Sequence, residues 1–161
     1  MADLVTQLTA PPEDYINDPS IELAWAMKAS ERASIHQNLL LSCDTKTLKL
    51  NKNQDDIYKS FREIFPDLNI EMVTEEQLKG DNKKKWHDFC ESFKEIDEYN
   101  MGALLRMDVK TIYSPDNTII VPRIQFLAVE AARNIEGLND KYKESISRDY
   151  QKASSDGTLA I

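Results

Sequence analysis

In GALLRMDVKTIYSPDNTIIVPRIQFLAVEAARNIEG, Gly102 to Gly137, the hydrophobic pattern changes period with no linker between. Leu105, Met107 and Val109 alternate with Arg106, Asp108 and Lys110, the two-residue repeat of a strand. Ser114-Pro115-Asp116-Asn117 puts proline where a type I turn takes it, with Asp and Asn behind it. The next residues, TIIVP, are rich in β-branched side chains that suit a returning strand. The spacing therefore predicts a hairpin from about Leu104 to Val121. Pro122 suits the first position of a helix, where its missing N–H costs nothing. Gly137 suits the left-handed residue just past the end. At about 100° per residue, Ile124, Leu127, Ala128, Ala131, Ala132 and Ile135 share one arc. A hairpin is marginal alone, so it must lie on helices, this one and an earlier one.

That earlier helix opens at Asp18-Pro19, a cap followed by a first-turn proline, and ends near Cys43-Asp44. Trp25, Ala26, Ala29, Ala33, His36, Leu40 and Cys43 recur along it at three- and four-residue spacing. DDIYKSFREIF predicts a second helix with Ile57, Phe61 and Ile64 on one face, ending before Pro66. NIEMV reads as either a short strand or an extended link, and TEEQLKG as one capped turn ended by Gly80. Asp81 can cap the next helix, NKKKWHDFCESFKEI, with its stripe of Trp86, Phe89, Cys90, Phe93 and Ile96. The expected fold is mainly α: a small helical domain of about four to five helices with one β-hairpin, bordering on α+β. Residues 1–14 are expected to be a flexible arm, 15–140 a single globular domain, and 141–161 a polar tail, partly helical or disordered, with little to bury.

With 161 residues, 41% of them hydrophobic, the chain can build one genuine core. No apolar run approaches the roughly 18–20 residues of a membrane helix, and the N-terminus lacks the form of a signal peptide. Net charge is −8, and the longest basic run, Lys83-Lys84-Lys85, sits among acids. This disfavours nucleic acid as a direct ligand and suits a basic partner. Two cysteines, Cys43 and Cys90, with no secretory signal indicate free thiols and a reducing compartment. The expectation is cytoplasmic, with the nucleus left open.

The four glycines form no phosphate or dinucleotide loop, so no cofactor is expected. His87 with Cys90, and His36 with Cys43, would bring four zinc-type ligands together only if their helices packed antiparallel, and the spacing matches no zinc signature. No metal is expected. Cys90 beside His87 is the one local nucleophile–base pair, but it falls on an apolar stripe where a buried inert thiol is the simpler reading. Nothing in the residues compels catalysis.

A surface remains. Arg106 and Asp108 project from the first strand, and Arg123, Glu130, Arg133 and Asn134 line one side of the following helix. Phe126 falls on that charged side, off the apolar arc. An aromatic flanked by arginines has the composition of an interface hot spot. The alternative is that Phe126 packs beneath the hairpin or the tail.

NDPSIELAWAMKA (Asn17 to Ala29), KKWHDFCESF, GALLRMD and NTIIVPRIQFLAVEAARNIEGLN (Asn117 to Asn139) resemble the eukaryotic polysaccharide-biosynthesis-domain-containing protein family, over about Tyr15 to Asp140. The tail differs from that of animal members, which is long and acidic. The resemblance implies a small cytosolic α-rich domain with a hairpin. It also implies a dedicated chaperone that binds newly made translation elongation factor 1-alpha at its GTP-binding domain, near the ribosome with the nascent-polypeptide-associated complex, and keeps it from aggregating. The resemblance supplies no active-site motif; the partner-binding residues above come from the pattern alone. Two other classes stand beside this one: a glycan-related enzyme, as the family label suggests, and a passive protein–protein adaptor.

Overall fold

A computed structural model describes residues 19–80 and 82–161; the arm at 1–14 and the capping roles of Asp18 and Asp81 lie outside the described residues. Among those described, the longer helices form where the apolar periodicity puts them. They are α1 (Pro19–Ser42), α2 (Gln54–Ile64), α3 (Lys83–Glu91) and α4 (Arg123–Ile135), followed by the short α5 (Leu138–Lys141) and then α6 (Lys143–Asp156). Two antiparallel strands, β1 (Gly102–Arg106) and β2 (Thr118–Pro122), complete a mainly α fold.

The main core is built on α2 and α3. Ile57 and Phe61 turn inward, Phe65 stacks on Trp86 at 4.3 Å between ring centroids, and Phe89 closes the cluster. The Trp86 indole N–H donates to the Gln77 carbonyl at 3.0 Å, so the one polar atom of the ring is satisfied. Thr74 and Gln77 cap each other: the Thr74 amide donates to Gln77 Oε1 and the Gln77 amide to Thr74 Oγ1. A π-helical turn, Glu76–Gly80, follows.

Helix α3 stops at Glu91, short of the expected Ile96. The Ser92 hydroxyl takes the Phe89 carbonyl, and the amides of Phe93 and Lys94 bond three residues back rather than four. Tight turns then carry the chain to Glu98, whose φ of 57° is the one positive value at a non-glycine residue among those described.

The hairpin forms with Ala103 opposite Val121 and Arg106 opposite Thr118, but its connection is long. After Arg106 the first strand changes partner. Val109 N–H donates to Glu71 O, Val73 N–H donates to Met107 O, and Met72 bridges Asp108. The NIEMV segment is thus an extended link with a single bridge. Pro115–Asn117 forms a 3₁₀ turn, and buried Asn117 holds the loop. Its Oδ1 accepts the Asp108 amide, and its Nδ2 donates to Asp108 O, Thr111 Oγ1 and Ile112 O.

Helix α4 starts directly from β2. Pro122 is its N-cap, one position earlier than expected, and Gly137 takes the left-handed conformation at φ 81°. The expected two-sided helix is corrected here. Val129, Glu130, Arg133 and Asn134 are buried, whereas Ile135 is exposed. The hairpin, α2, α3 and α5 all pack against α4, so almost none of it meets water. The tail is partly helical, one of the two forms expected, but it packs more than its polarity suggests. α6 lies on α1, buries Ile146 completely, and accepts the Ile112 amide on Asp149.

Candidate functional site

The structure divides the expected surface in two. Arg106, Glu130 and Arg133 are fully buried and Asn134 nearly so, which corrects their placement on a partner-facing side. Arg106 spends every N–H it has. Nε and Nη2 fork onto the two Glu130 oxygens at 3.2 and 3.0 Å, Nη2 also reaches Asn139 Oδ1 at 2.8 Å, and Nη1 donates to the carbonyls of Val109 and Thr111. Arg133 donates to Glu130 Oε2 at 3.0 Å and to the carbonyls of Ile70, Arg106 and Met107. Asn139 joins Glu130 to Asn134 Oδ1. The cluster therefore clamps β1, the Ile70 segment and the loop after Arg106 onto α4.

Burial by itself opposes charge on Glu130, but the adjoining Arg106 and Arg133 prevail and hold its carboxyl far below the usual carboxylate range. Burial pulls the Arg133 guanidinium down to about 10, against the pull of Glu130, so it stays a cation at neutral pH. A carboxylate held so low moves no proton near pH 7. This cluster is structural. Asp108 also serves the loop: its carboxylate accepts the Lys110 amide at 2.9 Å.

Arg123 and Phe126 lie elsewhere. Phe126 is half-buried, borders a small gap with Ala103 and Leu104 of β1, and meets the His36 ring edge-on at 5.3 Å. His36 Nδ1 shares a 2.7 Å hydrogen bond with the Tyr113 hydroxyl. Burial pulls its imidazole down to about 4; Glu130 opposes this while Arg106 and Arg133 reinforce it. Between α1 and α4 is a cavity of about 170 Å³. Ile35, Leu39, Leu50, Phe126 and Leu127 give its apolar lining, and Arg32, Arg123 and His36 its polar one.

The residues sequence reasoning missed are Arg32, Ile35, Leu39 and Leu50. Ile35 carried a signal, since it lies off the α1 apolar stripe and is 55% exposed. The zinc-type residues do not meet. His36 is buried, His87 is exposed, and no group of three or more His, Cys, Asp or Glu stands at metal-binding distance among the described residues. Burial, with the Glu91 charge, pushes the Cys90 thiol up to about 11, so it is not an activated nucleophile.

The profile of the PBDC1 protein family matches residues 21–144, which take in nearly all of α1, the hairpin and α4. The chain belongs to the PBDC1 protein family. It is 48% identical over 141 residues to mouse (Mus musculus) Protein PBDC1, covering 86% of this chain and 71% of that one. With human (Homo sapiens) Protein PBDC1 it shares 47% over 134 residues, spanning 82% of this chain and 58% of the human one. The Protein PBDC1 homolog of Saccharomyces cerevisiae is 39% identical and matched over 96% of its length. The solution NMR structure of protein yst0336 from the same yeast has the same fold, with a TM-score of 0.72 at 39% identity over 84% of this chain and 97% of that one. The PBDC1 fold is thus a helical domain around α4. No helix among the described residues is long and apolar enough to cross a membrane.

Proposed function

We propose that this chain is a client-specific chaperone. It binds newly synthesised elongation factor 1-alpha at its GTP-binding domain and shields it from aggregation until it folds. It works in the cytoplasm beside the nascent-polypeptide-associated complex at the ribosome, without catalysis, cofactor, metal or direct contact with nucleic acid. The observation that supports this most is where the family match falls. The matched segment supplies nearly all of α1 and the whole of α4, and those helices flank an open, largely apolar cavity with arginines in its lining, the composition of a protein-binding hot spot. The net charge of −8 suits a basic client over the surface outside this cavity, whose own lining carries arginines. Release needs no nucleotide hydrolysis by the chaperone. A binder that prefers the incompletely folded client is displaced as that state disappears.

Depletion of the protein from cells tests the reading. Newly made elongation factor 1-alpha is expected to aggregate and fall in abundance; a soluble, undiminished pool would sink the idea. A passive adaptor would bind mature and nascent client equally well, so comparing the two affinities separates the roles.

A further inference from the structure

Around the cavity between α1 and α4 the charges do not balance. Lys28 and Arg32 both pair with one carboxylate, that of Glu98. Arg123 donates Nη1 to the Asp97 carbonyl at 2.6 Å and makes no ion pair among the described residues. Burial and the neighbouring Arg32 charge both press against its protonation, and the acids that face it, Glu98 and Asp97, act the other way. Glu98 keeps a left-handed backbone that non-glycine residues avoid, and strain of that kind persists where surrounding structure holds it. His36 is 3% exposed, lines the same cavity, and has an Nε2 without a hydrogen-bond partner among the described residues.

We propose that this cavity is a docking site for an acidic amphipathic segment of a partner protein. One apolar side chain enters against Ile35, Leu39 and Phe126, and a nearby Asp or Glu pairs with Arg123. The charge decides the occupant. A basic or neutral segment would cover Arg123 and desolvate it further, with Glu98 and Asp97 nearby but neither in an ion pair with it. The size agrees: about 170 Å³ takes one side chain and falls below the usual volume of a small-molecule site. The site does not depend on the client's identity.

Phage-displayed peptides selected on the tagged full chain test this. Enrichment of Leu, Met or Phe with Asp or Glu three or four residues away is expected. Ile35→Asp and Arg123→Glu should each weaken the selected peptides about tenfold or more. Ile120→Asp should not, because that exposed residue lies outside the cavity. Selection on Arg123→Glu should replace the acids by Lys or Arg. Ile35 is exposed, so Ile35→Asp carries the test if Arg123→Glu fails to fold. No enrichment, enrichment without acids, or equal binding by both variants overturns the site. Capture of newly made elongation factor 1-alpha is then measured with the same proteins. Loss in both variants makes the cavity the client's grip. If the wild type captures none while peptides still require Arg123, the chaperone reading fails and the docking site stands.

Discussion

Arg123 and Arg133 leave the same helix and meet opposite fates. Arg133 is sealed from water, paired with Glu130 and bonded to three carbonyls. Arg123 is half-buried beside an apolar cavity, with one carbonyl and no ion pair among the described residues. The first is a charge that is ion-paired and bonded at all three nitrogens, so it fixes structure. The second is partly stripped of water and left incomplete, which is the condition a binding partner can relieve. A helical wheel cannot separate them, because both fall outside the apolar arc. What separates them is which other elements arrive.

The comparison breaks most visibly at Glu130. Glu130→Gln leaves Arg106 and Arg133 as buried cations without their counter-charge. The expected loss is about 3–5 kcal/mol, a large part of the whole stability of an ordinary domain, read as a fall in the urea midpoint. Buried ionic triads elsewhere often tolerate replacement by apolar residues. This one should not. In Arg106→Met, Glu130→Leu, Arg133→Met the carbonyls of Ile70, Arg106, Met107, Val109 and Thr111 would each lose an arginine donor. A triple variant as stable as wild type would show that the arginines are merely tolerated.

Acid should act on the interior in two separate windows. His36 has a folded pKa of about 4 against an ordinary 6.5. Below pH 6.5 the unfolded chain takes up a proton that the folded chain refuses, so stability falls until about pH 4. The expected loss across that interval is about 3 kcal/mol. Glu130 is depressed from 4.5, so its share is present above that pH and lost only below it. His36→Gln should flatten the urea midpoint between pH 6.5 and 4.5 and leave the steeper fall at lower pH. An unchanged slope would mean that the imidazole is not sealed between Tyr113 and Phe126.

The local signals in the sequence were strong. Pro122 and Gly137 mark the ends of α4, the alternation through Leu105 and Val109 marks a strand, and the Trp86 and Phe89 stripe marks a core helix. What was hidden depends on distant segments. The strand after Arg106 changes partner to the Glu71–Val73 segment, and no pattern in either stretch announces that pairing. That exchange brings the Met107 carbonyl onto Arg133 and helps turn a charged helix face into an interior one. The cavity likewise needs Ile35 from α1, Leu50 from a loop and Phe126 from α4. Phe126 was legible as an anomaly and not as a wall. Asn117 looked like a turn residue, and its side chain proves to hold the whole connection. Asn117→Ala should cost about 1–3 kcal/mol, seen as earlier thermal unfolding with faster amide exchange confined to 107–117. A shift within error would show that the backbone holds this loop unaided.

The smallest effect is expected at Arg123, and it sharpens the comparison most. Arg123→Gln removes one hydrogen bond to Asp97 and also removes a half-buried cation that has no ion pair among the described residues and stands near Arg32. The two consequences oppose each other, so the urea midpoint should move by no more than about 0.5 kcal/mol in either direction. Binding of acidic peptides should fall over the same substitution, because what is lost there is the charge that receives them. Stability and binding would then separate at Arg123, where at Glu130 the loss of fold takes everything with it. A drop of about 2 kcal/mol or more at Arg123 would make it a second Arg133, a residue of the fold. The cavity beside it would then be a packing gap and not a site.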